Sequence, residues 1–401
     1  MKPTVLVATT SRWFPTARLA VALAHAGCSV EAVCPPGHPI TKTSVSHRTF
    51  TYRGLAPLKS LEHAIAATNP TLIVSGDDLA TWHLHSLYLA KERLGDRGAA
   101  LCALIERSLG ASRHYSALDD RAAFMQVARE EGVRIPTTLT IANAAERNVS
   151  LAQIPFPAVL KANGTSGGTG VRVVQNLEEA AQAVKLLEAP PLLARAAKRA
   201  IFDRDRTLLL PAVQRTRSKV TAQSFVRGRE ATSAHACWKG TVLASLYFEV
   251  LQKSHASGHA TVLRRIEHPE MAASAERMVR RLELSGLHGF DFMLEADSRA
   301  AYLIEINPRA TQVGHLSFGA GHDLPSALVS AATNLSVSPA KRITENDTIA
   351  LFPQEWLRDP RSPFLRSGYH DVPWEEPALL RACVRKRGSA AMPRWLERRL
   401  R

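Results

Sequence analysis

Long hydrophobic runs are missing from this 401-residue chain, and no window reaches the 18 or so uninterrupted apolar residues of a membrane helix. The opening Met-Lys-Pro-Thr-Val-Leu-Val-Ala-Thr lacks the long apolar region and small-residue cleavage site of a secretory signal; it reads as a β-strand that ends in polar residues by Thr9. A cytoplasmic protein with no membrane partner is the expectation. Cysteine is scarce, odd in number and dispersed: the five residues are Cys28, Cys34, Cys102, Cys237 and Cys383, with no paired short spacing. That excludes a disulfide framework and a cysteine zinc site, and predicts reduced thiols. Acidic residues are outnumbered, 36 against 51 basic, for a formal charge of +15. Eight basic residues and one acidic residue fall in 381–401, so +7 of that excess sits in the tail. A nucleic-acid partner is not expected, because no zinc-finger spacing, aromatic nucleic-acid motif or helix-turn-helix accompanies the tail. It reads as a solvated basic helix packed by Trp395, Leu396 and Leu400.

What is present begins with alternating strands and helices over the first 110 residues. Val5–Ala8 is a short apolar strand, Thr16–Ala26 a helix with Pro15 near its start and Gly27 as C-cap, and Ser29–Val33 the next strand. A helix around Leu61–Ala67 leads to the strand Thr71–Val74 and the polar end Ser75-Gly76-Asp77-Asp78. This rhythm predicts a parallel sheet covered by helices. Asp77 and Asp78 lie just past the carboxyl end of a strand, where ligands commonly bind, although an N-cap at Asp78 is the plainer role. The loop Thr9–Arg12 is open to the same two readings, site or scaffold.

From about 115 the pattern changes. Asp120 can cap a helix from Arg121 to Glu131, and Ala158-Val159-Leu160 runs into Lys161 and then the loop Gly164–Gly170, with four glycines in seven residues. A Val-rich strand, Val171–Val174, follows. The loop joins two strands, so it is not the dinucleotide fingerprint that opens a helix; nor is it a Walker loop, because its lysine precedes the glycines. Glycines here let backbone N–H groups wrap phosphate oxygens. Asn176 and Glu179 form a capping box, Leu208–Leu251 reads as antiparallel strands with a turn at Lys239-Gly240, and 271–285 as a helix. Beyond about 340 the chain is irregular and rich in proline and tryptophan.

The densest cluster of chemistry lies on one predicted hairpin. Asp291 and Glu305, fourteen residues apart, occupy its two arms, and the second arm continues Ile306-Asn307-Pro308-Arg309. With Asp297-Ser298-Arg299 as the turn, Asp291 falls directly opposite Glu305, where like charges repel. Glu305 and Asn307 share a face by the period of two, and Tyr302, Ile304 and Ile306 should face apolar packing. Three oxygen ligands and one arginine on one surface suit a hard divalent cation carrying a polyphosphate.

The glycine loop and this acidic set, in this order and about 120 to 145 residues apart, resemble the ATP-grasp superfamily over roughly 115–330. Biotin carboxylase, carbamoyl phosphate synthase and D-alanine–D-alanine ligase carry such a domain. The resemblance implies an α/β and α+β chain: a parallel-sheet, Rossmann-like preATP-grasp domain over 1–112, an ATP-grasp domain with antiparallel sheets over 113–335, and a C-terminal extension with the basic tail over 336–401. It implies ATP as cofactor with Mg²⁺, or Mn²⁺ in its place. Lys161, Arg121 and the loop residues Gly167, Gly168, Thr169 and Gly170 would contact phosphates; Gln223, Phe225 and Val226 the adenine; Glu230 the ribose. Asp291, Glu305 and Asn307 would be the metal ligands, and Arg309 with Lys161 the catalytic pair.

The activity implied is ligation: ATP phosphorylates a carboxylic acid to an acyl phosphate, and an amine, or less often a thiol, displaces the phosphate. Partners are then a small-molecule acid and amine, with a homodimer through an exposed edge of the N-terminal sheet left open. A phosphotransferase, a carboxylase-like enzyme and a non-catalytic ATP-binding regulator are the alternatives. Arg264, Arg265 and the segment from Arg309 to His315 are candidates for gripping the acid, and His255, His259, His315 and His322 for proton transfer.

Overall fold

The computed structural model describes residues 2–141, 151–164, 170–193, 197, 212–215 and 217–385. The predicted α/β start is a four-stranded parallel sheet of β1 (Thr4–Ala8), β2 (Ser29–Cys34), β3 (Ser46–Thr51) and β4 (Leu72–Ser75), in the order β3-β2-β1-β4. β1 and β4 are apolar almost throughout because helices cover both faces of a parallel sheet. α1 (Phe14–His25) and α2 (Pro57–Thr68) both begin with proline in the first turn. Gly27 ends the α1 region at φ +95°, a conformation that suits a residue without Cβ. α3 (Asp78–Leu89) is capped by Asp77, whose carboxylate accepts from the Ala80 N–H, so the expected cap at Asp78 shifts by one residue. α4 (Asp96–Leu109), α5 (Tyr115–Asp119) and α6 (Arg121–Glu130) follow, α6 being capped by Asp120 through the Ala122 and Ala123 N–H groups.

Two antiparallel sheets form the rest. The smaller has the order β5-β8-β6-β7, with β5 at Thr138–Ile141, β6 at Ala158–Ala162, β7 at Val171–Val174 and β8 at Val220–Ser224. The capping box forms as read: Asn176 accepts from the Glu179 N–H at the start of the helix Leu177–Glu188, which closes a core of its own with Leu160, Val184 and Val220. Of the strand run expected from Leu208, residues 208–211 lie outside the described residues; among the described ones the first strand is at Val220.

The larger sheet has the order β13-β12-β9-β10-β11-β14-β15. Its strands are β9 (Gly228–Trp238), β10 (Thr241–Lys253), β11 (Ala260–Arg265), β12 (Gly286–Glu295), β13 (Ala301–Asn307), β14 (Thr348–Leu351) and β15 (Tyr369–Asp371). Only its β14–β15 pair is parallel. β9 and β10 meet at the predicted turn, where Lys239 and Gly240 both take positive φ, as a two-residue hairpin requires. The N-terminal sheet and this sheet share apolar cores: Leu6, Ile73 and Ile105 pack in one cluster with Met278, Phe290 and Leu303. The C-terminal extension is fastened by a buried ion pair, Arg18 Nη2 to Asp371 Oδ1 at 2.9 Å, with His315 Nε2 donating to Asp371 Oδ2 at 2.7 Å. The basic tail from 386 onward lies outside the described residues.

Register on the hairpin is as read from the sequence only near the acids. Gly289 pairs with Asn307, Phe290 with Ile306 and Asp291 with Glu305, but Phe292 pairs with Leu303. Ile304 is therefore an extra residue, a β-bulge. It reverses the alternation beyond it, so Ala301 and Leu303 face the core with Ile306, while Tyr302 and Ile304, expected inward, are only half-buried.

Candidate active site

The floor of the site is set by strand alternation. Asp291 and Glu305 face each other, and Asn307 lies two residues on along the same face. Thr232 on β9 donates to Asp291 Oδ1 at 2.8 Å and Asn307 Nδ2 to Asp291 Oδ2 at 3.0 Å. Burial, reinforced by the Glu305 charge, pushes the Asp291 carboxyl up to about 6. Glu305 goes the other way: burial would raise it, but Arg121 and Lys161 outweigh burial and hold it below the ordinary range. Of the two acids, Asp291 is thus the one that takes up a proton first.

Cations come from three separate elements. Lys161, near the end of β6, is 5% exposed; burial lowers its ammonium to about 8 against the pull of Glu305. Its Nζ donates to the Ile304 carbonyl at 3.3 Å, on the bulged residue. Arg121, at the start of α6, donates Nη2 to Glu305 Oε1 at 2.8 Å and Nη1 to the Ala162 carbonyl at 3.2 Å. Its Nε is buried without a hydrogen-bond partner among the described residues. Arg309, directly after β13, donates to Asn307 Oδ1 at 2.9 Å and grips Asp78 through Nε at 3.1 Å. Burial would lower the Arg309 pKa, but Asp78 outweighs it and the guanidinium is held above its ordinary value.

These groups border one cleft of about 1040 Å³, large enough for a nucleotide with a second small molecule. One end is apolar, with Val159, Val171, Val173, Phe225 and Met293 on its walls. The linker from Gln223 to Val226 runs along it. Gln223 is buried and donates Nε2 to Thr138 Oγ1 at 3.2 Å. The N–H groups of Ser224 and Phe225 are taken by the Thr137 and Pro157 carbonyls, which among the described residues leaves Val226 as the linker's open donor. Glu230 also borders the cleft and pairs with Lys253 of β10 rather than with neighbouring Arg229 or Arg227. Gly170, at the end of the glycine loop, accepts from the Ala162 N–H at 2.9 Å; Gly167, Gly168 and Thr169 lie outside the described residues.

Another part of the lining is polar, with Trp13, Asp78, His255, His259 and Gln312 besides Arg309. Arg264, Arg265, His315 and His322 do not border it. Arg264 lies 3.7 Å from Glu249, Arg265 stacks over Phe318, His315 binds Asp371, and His322 Nδ1 donates to the Ser245 carbonyl. Sequence reasoning did not single out Thr232, Lys253 or Trp13. Thr232 had a findable signal, since its strand β9 runs beside β12 with the same period of two. The Thr9–Ser11 loop is scaffold: its hydroxyls and N–H groups wrap the Asp77 carboxylate, with Thr10 N at 2.6 Å and Thr9 Oγ1 at 2.7 Å. The five cysteines remain thiols, and burial raises Cys28 to about 11 and Cys34 to about 12, which keeps both protonated. No helix among the described residues is long and apolar enough to cross a membrane.

Solved structures share this fold. The ADP complex of PurK, N5-carboxyaminoimidazole ribonucleotide synthetase, aligns with a TM-score of 0.59 at 16% identity, over 86% of this chain and 80% of that one. The Thermus thermophilus N5-carboxyaminoimidazole ribonucleotide synthetase gives 0.58 at 16%, over 84% and 80%. The biotin carboxylase domain dimer of Hydrogenobacter thermophilus 2-oxoglutarate carboxylase, in complex with MgADP, ADP and bicarbonate, gives 0.58 at 15%, over 85% and 72%. A sequence search among curated proteins gives no match. Residues 120–324 match the family model described as carbamoyl-phosphate synthase L chain, ATP binding domain. That match takes in half of the chain, Arg121, Lys161, Asp291, Glu305 and Arg309 included, and the chain belongs to this family of ATP-grasp proteins.

Proposed function

We propose that the protein is an ATP-dependent ligase that activates a carboxylic acid as an acyl phosphate and joins it to an amine, releasing ADP and phosphate. One observation carries the reading: Lys161, Arg121 and Arg309, from three different elements, converge on Glu305, Asp291 and Asn307 inside a single cleft with both apolar and polar walls.

Asp291, Glu305 and the Asn307 amide oxygen would hold Mg²⁺, or Mn²⁺ in its place. The donor set fits a hard cation, since all three residues carry oxygen donors and a divalent charge would offset the burial and the Glu305 charge that together raise Asp291 to about 6. Among the described residues no cluster of three or more His, Cys, Asp or Glu side chains forms, so the remaining ligands would come from phosphate oxygens and water. When bound, the cation neutralises phosphate charge.

The chain's own residues do the rest. The Val226 N–H and the linker carbonyls read the base edge, Gln223 is fixed behind them, Phe225 covers the ring, and Glu230 takes the ribose hydroxyls. Lys161 and the Arg121 Nε would meet phosphate oxygens, Gly167, Gly168, Thr169 and Gly170 would be further phosphate contacts, and water must be kept from the acyl phosphate. Arg309 steadies the acid beside the terminal phosphate. A carboxylate oxygen of the acid attacks that phosphorus and ADP leaves. The amine nitrogen then forms its bond to the acyl carbon as the bond to the phosphate oxygen breaks. Inorganic phosphate departs with one of the two protons the ammonium gives up, and the other goes to solvent. Positioning and charge neutralisation supply most of the catalysis.

The test is a matrix of carboxylic acids, bicarbonate included, against amines. Phosphate release is followed and the product identified by mass. ADP and phosphate formed only when acid and amine are both present support the reading; a stable phosphorylated product, or turnover in a folded Lys161→Ala variant equal to that of the parent, would reject it.

A further inference from the structure

Asp78 lines the cleft and is tied in place from two sides. On one side its carboxylate receives the Arg309 guanidinium, Nε to Oδ1 at 3.1 Å and Nη2 to Oδ2 at 3.5 Å. On the other, its neighbour Asp77 holds the Thr9–Ser11 loop by hydrogen bonds from Thr9, Thr10 and Ser11. That loop leads straight into Trp13, whose ring meets His259 edge-on at 5.1 Å. Arg309, Asp78, Trp13 and His259 all line the one cleft, brought there from the segment after β13, the start of α3, the loop before α1 and the β10–β11 connection.

The two ends of the Arg309–Asp78 pair are unequally open. The Arg309 side chain is 18% exposed and that of Asp78 42%. An ionised carboxylate has about four lone-pair sites, and the guanidinium takes two of them. Among the described residues Asp78 has no second hydrogen-bond donor, so acceptor capacity remains facing the cleft. Beside it, Trp13, His259 and Val250 present flat or apolar surface. His259 is half-buried, and that desolvation, with His255 nearby, lowers its pKa and favours the neutral ring.

We infer that Asp78 and Trp13 select the acceptor: a primary amine that carries its ammonium to the free edge of Asp78 and an aromatic or apolar body to the Trp13–His259 wall. This deepens the ligase reading and rests on it. Once the acid's phosphate occupies Arg309, the guanidinium charge is offset and no longer repels an ammonium beside Asp78. The acceptor then sits on the far side of the acid from the nucleotide, where its nitrogen can reach the acyl carbon. A neutral alcohol or thiol of the same shape would gain the wall but not the carboxylate.

The experiment is calorimetric binding of phenethylamine and of phenethyl alcohol to the full chain loaded with Mg·ADP and inorganic phosphate. Nucleotide affinity is measured separately. The amine is expected to bind at least about tenfold tighter than the alcohol, as one charge-assisted contact provides. Asp78→Asn should bring the two affinities to within about twofold of each other, and Asp78→Glu should restore part of the preference. Trp13→Ala should weaken both ligands by a similar factor. Equal affinities in the parent, no binding of either ligand, or a preference that survives Asp78→Asn would overturn the inference. Failure of Mg·ADP itself to bind would instead count against the ligase reading, so the two failures are distinguishable.

Discussion

Replacing Asp291 with asparagine should stabilise the ligand-free protein while removing a cation ligand. An aspartate in an unfolded chain ionises near 3.9, whereas in the folded site burial and Glu305 raise Asp291 to about 6. A folded pKa above the unfolded one means the native state holds an extra proton between about pH 4 and 6. Stability is therefore highest below that window and falls as pH rises through it. Two units correspond to a penalty on the order of 3 kcal/mol at pH 7.5. Asparagine carries no charge to desolvate, but it turns an amide N–H₂ toward the Asn307 Nδ2 that now donates to Asp291, and losing that bond costs about 1 kcal/mol. The net expectation is a gain of about 1–2 kcal/mol at pH 7.5. Urea denaturation of both proteins from pH 4 to 8, without metal, measures it: the difference between variant and parent should grow up to about pH 6 and then level off. Adding Mg²⁺ and ATP should reverse the order, because only the parent keeps the full ligand set. A difference that does not change with pH would show that Asp291 is not held protonated and would undo the electrostatic account of the site.

Buried histidines should act in the opposite sense. Burial lowers His83, His288 and His370 to about 4 and His235 to about 3, so their contribution is present above the unfolded value of about 6.5 and is lost as pH falls through 4. His288→Gln should flatten the acid limb of stability against pH by up to one proton's worth, about 1.4 kcal/mol per pH unit; an unchanged limb in urea melts would contradict this. Arg18→Met leaves the Asp371 carboxylate, 1% exposed, with only His315 beside it. A loss of about 3 kcal/mol or more is expected in thermal melts, with faster amide exchange over Tyr369–Asp371, and a loss under 1 kcal/mol would mean that the ion pair does not hold this segment in place.

Much of the site was legible because its chemistry follows strand period. Asp291, Glu305 and Asn307 could be placed on one face from spacing alone, and Lys161 was marked by the apolar run before it. What could not be read was anything set by contact between distant segments. Nothing in the sequence indicated that Arg121 would close on Glu305, 184 residues away, or that Asp78 would meet Arg309 across 231. Asp77 and Asp78 are adjacent and chemically identical, so which one caps the helix depends on where the Thr9–Ser11 loop returns. The fold was read in its parts, but the shared packing of Leu6 and Ile105 with Phe290 and Leu303 depends on tertiary closure that local periodicity does not encode.

Ile304 is surplus to its ladder. Leu303 already opposes Phe292 and Glu305 already opposes Asp291, so excising Ile304 would leave every cross-strand partner where it is and both faces of β13 unchanged. What would vanish is one carbonyl oxygen, the one that receives Lys161. Deletions inside strands ordinarily scramble a sheet; this one would spare the architecture and untether a single ammonium, so chain length at this point matters to the chemistry rather than to the fold.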